Sequence, residues 1–115
     1  MGATTAARTK RTKDKLMPLV GLCKFLSSPK RLRILIELAD GPMIVTELSS
    51  RTRLRPPLVS KTLSRMRALG LVSMEVDGLF HYYGLTKAAT LRRHRGGVTL
   101  TLATASGKVA LFWRP

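Results

Sequence analysis

The chain has 115 residues, 44% of them hydrophobic and 5% aromatic, which predicts one small domain with tails and an aliphatic core. Its 21 Lys and Arg oppose six Asp and Glu, and the net charge of +15 indicates a polyanionic partner, nucleic acid first and an acidic membrane surface second. One cysteine excludes an internal disulfide. No apolar run approaches the roughly 18 residues of a membrane span or forms a signal-peptide core, so we expect a cytoplasmic protein with no membrane partner.

The first 13 residues are small, polar and basic. They lack an apolar period, so the sequence predicts a disordered basic arm over residues 1–13. Such an arm can contact phosphates or enter a minor groove, and it can equally be a solvated tail that aids solubility. Its candidate phosphate contacts are Arg8, Lys10, Arg11 and Lys13.

Residues 14–27 are too apolar for a helix that buries only one stripe. A second buried face indicates packing on a partner chain in a homodimer, and burial beneath the C-terminal segment is the alternative. The dimer is favoured because a domain this small has little interior in which to bury two faces. The candidate interface residues are Leu16, Leu19, Val20, Cys23 and Leu26. Cys23 among aliphatic residues predicts packing rather than redox chemistry.

A second helix begins at Ser28-Pro29, with Ser28 as its N-cap and Pro29 at its first position. Gly41-Pro42 ends it. The first turn is basic, and this opposes the helix dipole, so the charges need another reason. Phosphate contact by Arg31 and Arg33 is one explanation, and simple solvation is the other.

A third short helix follows, with Thr46 as its predicted cap and its end at about Arg51. The connection after it is rich in arginine. Its candidate phosphate contacts are Arg51, Arg53 and Arg55.

The fourth helix is predicted over residues 56–69, opening at Pro56 or Pro57 and ending at Gly70. Its buried stripe consists of Val59, Leu63, Met66 and Leu69. The opposite side could enter a DNA major groove, where the candidate base contacts are Pro57, Ser60, Lys61, Ser64 and Arg65. Two short helices joined by a turn make a helix-turn-helix. An ordinary amphipathic helix with a solvated basic face fits the same pattern.

Two alternating runs flank Asp77-Gly78, which is a strong hairpin signal. With Asp77-Gly78 as the two-residue loop, Val76 pairs with Leu79, Met74 with His81, and Val72 with Tyr83. A hairpin placed directly after the basic helix is a wing.

The last part of the chain, residues 87–115, predicts a short helix from Lys87 to about Arg95, ended by Gly96-Gly97, and then a second hairpin. This hairpin could lie at a dimer interface, bury the first helix, or cover the edge of the wing. The predicted fold is therefore α+β and mainly α. A winged helix-turn-helix domain over residues 14–86 has a wing hairpin, and an extension over residues 87–115 adds a short helix and an extra C-terminal β-hairpin.

Residues 19–86 resemble the winged helix-turn-helix of ArsR-type transcription regulators. The marks are Pro29-Lys-Arg31-Leu-Arg-Ile34-Leu35, Val45-Thr-Glu-Leu48, Val59-Ser60 through Leu63, Ala68-Leu-Gly70-Leu-Val72, Asp77-Gly78 and Tyr82-Tyr-Gly-Leu-Thr86. The resemblance implies a homodimer that represses promoters, and many members release DNA on binding metal. Metal-sensing relatives carry cysteines where this chain has Met43, Ile44 and Val45, so we expect no thiolate metal site. Where relatives often carry a basic residue after the wing glycine, this wing has Leu79.

No phosphate loop, paired carboxylates or nucleophile–base constellation is present in the sequence, so we expect neither an enzyme nor a cofactor, and no small-molecule effector is evident. The leading prediction is a dimeric, sequence-specific regulator of double-stranded DNA, associated with the nucleoid. The alternative is an abundant architectural protein that coats DNA. A winged-helix adaptor and an RNA binder are further alternatives, although the sequence indicates no exposed aromatic platform for single strands.

Overall fold

The computed structural model describes residues 16–105 and 107–115. Four helices come first: α1 is helical over residues 16–26, and it is followed by α2 (Pro29–Leu38), α3 (Val45–Thr52) and α4 (Pro56–Ala68). Five strands follow: β1 (Val72–Asp77), β2 (Phe80–Leu85), β3 (Ala89–His94), β4 (Gly97–Thr104) and β5 (Gly107–Trp113). The predicted arm, with Arg8, Lys10, Arg11 and Lys13, lies outside the described residues.

The helix ends follow local chemistry. The Ser28 hydroxyl accepts a hydrogen bond from the Arg31 backbone N–H at 3.4 Å, and Pro29 opens α2, both as predicted. Gly70 follows α4 with a φ of +77°, the left-handed conformation expected there. The exception is α3, whose N-cap is Ile44, so the predicted cap Thr46 lies inside the helix.

One aliphatic core joins all four helices to both sheets. The predicted stripe of α4 lies at its centre, because Val59, Leu63 and Met66 have no exposed surface, while Leu69 is half-buried. Leu26 of α1 is also part of this core, with 4% of its surface exposed. The prediction of Leu26 as a dimer contact is therefore wrong, since its own protomer already buries it.

The wing is the predicted hairpin, but its two-residue loop lies one residue later, so each residue of β1 pairs two residues further along β2 than predicted. The structure pairs Asp77 with Phe80, so the two-residue loop is Gly78-Leu79. Gly78 has a φ of +61°, and a type II′ turn needs a positive φ only at this first loop position. In an Asp77-Gly78 loop, Asp77 would occupy the first loop position, which needs the positive φ. The change leaves the same side chains on the same face of each strand.

The predicted helix from Lys87 to about Arg95 is wrong, because residues 89–94 form strand β3, which pairs antiparallel with β4. Ala89 and Leu91 turn toward the core while Thr90, Arg92 and His94 are exposed, which is a two-residue period. An isolated short helix is marginal in water, whereas pairing with β4 gives these backbone groups partners. Arg95-Gly96 forms the turn between the two strands, and Gly97 is the first residue of β4, opposite His94.

The extra C-terminal hairpin is confirmed as β4 and β5, with Val98 opposite Trp113 and Leu100 opposite Leu111. With β3 it forms a three-stranded sheet in the order β3-β4-β5. The sheet packs on α1, since a Cβ added at Gly107 would lie 2.9 Å from the Cδ1 atom of Leu19. Three places were predicted for this hairpin, and the contact between Leu19 and Gly107 supports the one in which the hairpin covers the first helix.

Candidate nucleic-acid interface

The turn between α3 and α4 is fixed by backbone and side-chain contacts. Arg53 adopts a left-handed φ of 60°, which reverses the chain directly after α3. The Ser49 hydroxyl donates to the Leu54 carbonyl, and the buried Thr52 hydroxyl donates to the Leu48 carbonyl at 2.6 Å. The Ser49 bond ties the turn to α3 and the Thr52 bond lies within α3, so both fix the end of α3 and the short turn that leads into α4, as a helix-turn-helix requires.

The outward side of α4 is exposed along its length. Its five predicted base contacts all lie at the surface: Pro57, Ser60, Lys61, Ser64 and Arg65. At about 100° per residue, Lys61 and Ser64 lie opposite the buried stripe, and Arg65 lies on the flank toward α1. There its guanidinium carbon is 5.7 Å from the centroid of the Phe25 ring. Arg67, which sequence reasoning missed, is exposed seven residues after Ser60, and that helical spacing was the available signal.

The predicted phosphate contacts divide into free and engaged arginines. Arg33, Arg53 and Arg55 are exposed. Arg31 is half-buried: its Nη1 donates to the Phe25 carbonyl at 3.0 Å, and its guanidinium lies 4.7 Å from the Phe25 ring centroid. Arg31 is therefore part of the packing between α1 and α2, and its assignment to phosphate is corrected accordingly.

Arg51 is exposed, but its charge is opposed. Its Nη1 lies 3.6 Å from a Glu37 carboxylate oxygen and 3.9 Å from an Asp40 oxygen. Two of the chain's six acidic residues, Glu37 and Asp40, therefore lie close to this one arginine. The attraction of Arg51 for phosphate is reduced by these neighbours.

The wing is tied to the helix-turn-helix. Met43, between α2 and α3, exchanges two backbone hydrogen bonds with Tyr83 of β2, at 2.9 and 2.8 Å. The wing itself contains no Lys or Arg over residues 72–86, and it carries Glu75 and Asp77. Its tip is apolar, with Leu79 95% exposed. The positive charge of this part of the molecule therefore comes from α4 and the turn before it.

The two histidines and the cysteine do not gather into a metal site. Within residues 16–105 and 107–115, no group of three or more His, Cys, Asp or Glu side chains lies close enough to hold an ion. No helix of the described part is long and apolar enough to cross a bilayer.

A helix-turn-helix whose second helix presents an exposed basic side, followed directly by a hairpin bonded back to it, defines a winged helix-turn-helix DNA-binding domain. The profile described as "Bacterial regulatory protein, arsR family" matches residues 28–74. The chain is 35% identical over 72 residues to the nodulation protein NolR of Rhizobium meliloti, a match that covers 63% of this chain and 59% of that protein.

Solved structures agree with this assignment. The crystal structure of NolR from Sinorhizobium fredii is 30% identical, with a TM-score of 0.63, and the match covers 67% of this chain and 77% of that one. Reduced HlyU from Vibrio cholerae is 30% identical, with a TM-score of 0.55 and coverage of 70% and 81%. The homodimeric winged helix-turn-helix DNA-binding domain of a possible ArsR-family regulator from Mycobacterium bovis is 27% identical, with a TM-score of 0.54 and coverage of 68% and 69%.

The chain belongs to the ArsR family of bacterial regulatory proteins. The chain spans less than two thirds of the length of the Rhizobium meliloti NolR protein that it matches.

Proposed function

We propose that the chain is a homodimeric repressor that reads a specific duplex DNA sequence with α4 and does not sense metal through thiolates. One observation carries the proposal: α4 buries one side completely and leaves the Ser-Lys side opposite it exposed. A helix held in this way can enter a major groove, which is wide enough for one helix. The wing hairpin is bonded to the segment before α3 through Met43 and Tyr83, which helps to fix the position of the helix-turn-helix.

Base contact is proposed for the exposed side of α4. The chain contains no Asn and no Gln, so the bidentate contact that these residues make to adenine is unavailable. Reading therefore relies on Lys61, with Arg65 at the flank, donating to guanine O6 and N7. The smaller contacts, which discriminate less, are assigned to Pro57, Ser60 and Ser64.

Phosphate contact is proposed for the exposed arginines Arg33, Arg53 and Arg55, and for the basic arm with Arg8, Lys10, Arg11 and Lys13. Arg31 and Arg51 are left out, because Arg31 is half-buried and donates to the Phe25 carbonyl, and two carboxylates oppose the charge of Arg51. Phosphate contacts set position and affinity, whereas base contacts set specificity.

Replacing Arg53 by glycine is expected to lower the slope of log affinity against log salt concentration by about one unit on every duplex. Glycine suits the left-handed φ of 60°, so the free energy of unfolding should change by less than about 0.5 kcal/mol. The slope is measured by fluorescence anisotropy at four or five salt concentrations. Arg51→Ala is the matched control, because its charge is already opposed, and it should change the slope less. Equal changes from the two variants would contradict this assignment.

A homodimer is proposed through α1. Leu16, Met17, Val20 and Cys23 form an exposed apolar strip on this helix, and Leu19 is only half-buried against Gly107. The homodimeric domain from M. bovis supports the same arrangement here. In a two-fold dimer, two α4 helices would contact an inverted repeat with half-sites about 10 bp apart.

Independence from thiolate metal sensing rests on Met43, Ile44 and Val45, which stand where metal-sensing relatives carry cysteines. Met43 is 3% exposed and is bonded to Tyr83, so this position contributes to the link with the wing. As a DNA-binding regulator the protein is proposed to act in the cytoplasm, in association with the nucleoid.

The test is selection of bound sequences from a random duplex pool at about 150 mM salt, where non-specific attraction is reduced. We expect an enriched inverted repeat, bound about 10³-fold or more above bulk DNA. A reporter promoter that carries this repeat should be transcribed less when the protein is present. An architectural coating protein would instead enrich no motif and lose all duplexes equally as salt rises.

A further inference from the structure

The three-stranded sheet has an exposed side that the duplex-reading function leaves unused. The side chains that pack on the core alternate with those that face away from it. The outer face, as defined here, consists of Thr90, Arg92, His94, Thr99, Thr101, Lys108, Ala110 and Phe112. In the strand register, Arg92, Thr99 and Phe112 form one row across the sheet.

An aromatic pair lies at one end of this outer face. The rings of His94 and Phe112 stack with their centroids 5.6 Å apart and their planes 16° from parallel. The His94 Nε2 is 3.0 Å from the Thr99 hydroxyl, which helps to set the imidazole plane. Phe112 is nevertheless 57% exposed, so one flat apolar surface faces outward.

Gly97 makes room for this pair. A Cβ at this position would lie 3.0 Å from the Phe112 Cε2 atom and 2.4 Å from the Trp113 carbonyl oxygen. Because glycine has no side chain, the Phe112 ring can lie over the end of β4 and reach the ring of His94. The two rings come from opposite edges of the sheet, so only the folded sheet brings them together.

The surroundings of the pair are basic. From Gly78 to the last residue the chain contains no Asp or Glu, and it contains Lys87, Arg92, Arg93, Arg95, Lys108 and Arg114. A shallow groove of about 490 Å³ runs over Thr90, Arg92, His94, Thr99 and Thr101. A second depression of about 430 Å³ adjoins it at His94 and is rimmed by Arg93, Arg95 and Arg114. The charge therefore suits a polyanion along this whole end of the sheet.

We propose that the outer face of the C-terminal sheet binds single-stranded nucleic acid, with an unpaired base stacked on Phe112 and His94 and the phosphates held by Arg92 and the arginine rim. Exposed aromatic rings in a basic groove are the means by which proteins hold single strands. The sequence alone indicates no aromatic platform, because Phe112 and His94 lie 18 positions apart and only the fold stacks them. This inference does not depend on how α4 contacts duplex DNA.

The chemistry of the face favours a single strand over other polyanions. Bases in a duplex are already stacked on each other, so they cannot cover the Phe112 ring. A lipid surface needs a broad apolar face, whereas here one exposed ring stands among three threonines and two cations. The threonine hydroxyls can donate to and accept from base edges.

The test compares binding of a labelled oligothymidylate of about 12 nucleotides with binding of a labelled random-sequence duplex, by anisotropy with the full chain. Phe112→Ala is expected to weaken oligothymidylate binding by roughly 5- to 150-fold and leave duplex binding unchanged. Phe112→Trp should restore single-strand binding, because it replaces one stacking surface with another. A circular dichroism melt of each variant verifies that the sheet is intact.

Two matched controls separate stacking from hydrophobicity and from charge. Phe80→Ala removes an aromatic ring that is 54% exposed on the wing, and it should leave oligothymidylate binding unchanged. Arg92→Ala removes a charge from the groove and should weaken oligothymidylate binding, whereas Lys30→Ala removes a charge from an exposed position on α2 and should cost less.

Four outcomes would overturn the proposal. If Phe112→Ala weakened binding to single strand and duplex equally, the outer face would be part of the duplex-binding surface. If it weakened binding to neither, the rings would bind no nucleic acid. Loss of binding to vesicles containing an anionic lipid, without loss on oligothymidylate, would identify a membrane partner. Conversion of a dimer to a monomer by Phe112→Ala in sedimentation would identify a second copy of the chain as the occupant.

Discussion

Replacing Leu63 by alanine is expected to lower the free energy of unfolding by about 2–5 kcal/mol. Leu63 has no exposed surface and lies in the core between the helices, so the truncation removes apolar contacts and leaves a cavity that its neighbours fill only in part. Small domains are stable by about 5–15 kcal/mol in total, so the loss is a large part of the whole. Urea unfolding at one fixed protein concentration measures it, because a dimer would make the midpoint depend on concentration.

Leu79→Ala is the matched control for this prediction. It removes the same atoms from a side chain that is 95% exposed at the wing tip, and it should change the free energy of unfolding by less than about 0.5 kcal/mol. Similar losses in the two variants would mean that the buried side of α4 has been misidentified. The assignment of Lys61 to the exposed side of α4 would then lose its structural basis as well.

Replacing Lys61 by alanine is expected to weaken binding to the selected operator by about 1–3 kcal/mol, or roughly 5- to 150-fold. The reason is that this ammonium group lies opposite the buried stripe, at the centre of the side that would face the bases. Random duplex should lose much less, because there the variant removes only one positive charge. Titration of both duplexes at the same salt concentration gives the specificity ratio, which should fall.

Lys87→Ala is the control for charge. Lys87 is exposed in the turn after the wing and away from α4 in sequence, so its removal should affect operator and random duplex alike. If Lys61→Ala also weakened both duplexes equally, α4 would supply affinity without sequence recognition. The coating model would then be the better account of the charge.

These two predictions concern opposite sides of one helix. Leu63 and Lys61 are two residues apart on α4, yet one is fully buried and the other is exposed. The buried side fixes the helix and thereby orients the exposed side, so Leu63→Ala should also weaken DNA binding by loosening α4. Lys61→Ala should leave the free energy of unfolding unchanged. Measuring both quantities for both variants distinguishes orientation from contact.

The sequence alone was sufficient where the physics is local. The Pro-Pro start and glycine end of α4, its apolar stripe, the Ser28-Pro29 start of α2 and the alternation of β4 and β5 depend on neighbours within a few residues. Each of these features appears in the structure as predicted. The exposed side of α4 follows from the same periodicity, although its contact with bases is still a proposal.

Only the tertiary structure decided the features that depend on partners far along the chain. Residues 89–94 are a strand because β4 offers them hydrogen bonds, although a helix there satisfies the local pattern. Arg31 packs on Phe25, and Leu26 is buried in its own protomer, because other helices of the same protomer pack against them. His94 and Phe112 stack although 18 positions separate them, because antiparallel pairing through β4 sets their spacing. Periodicity assigns a side chain to a face, but the fold alone determines what covers that face.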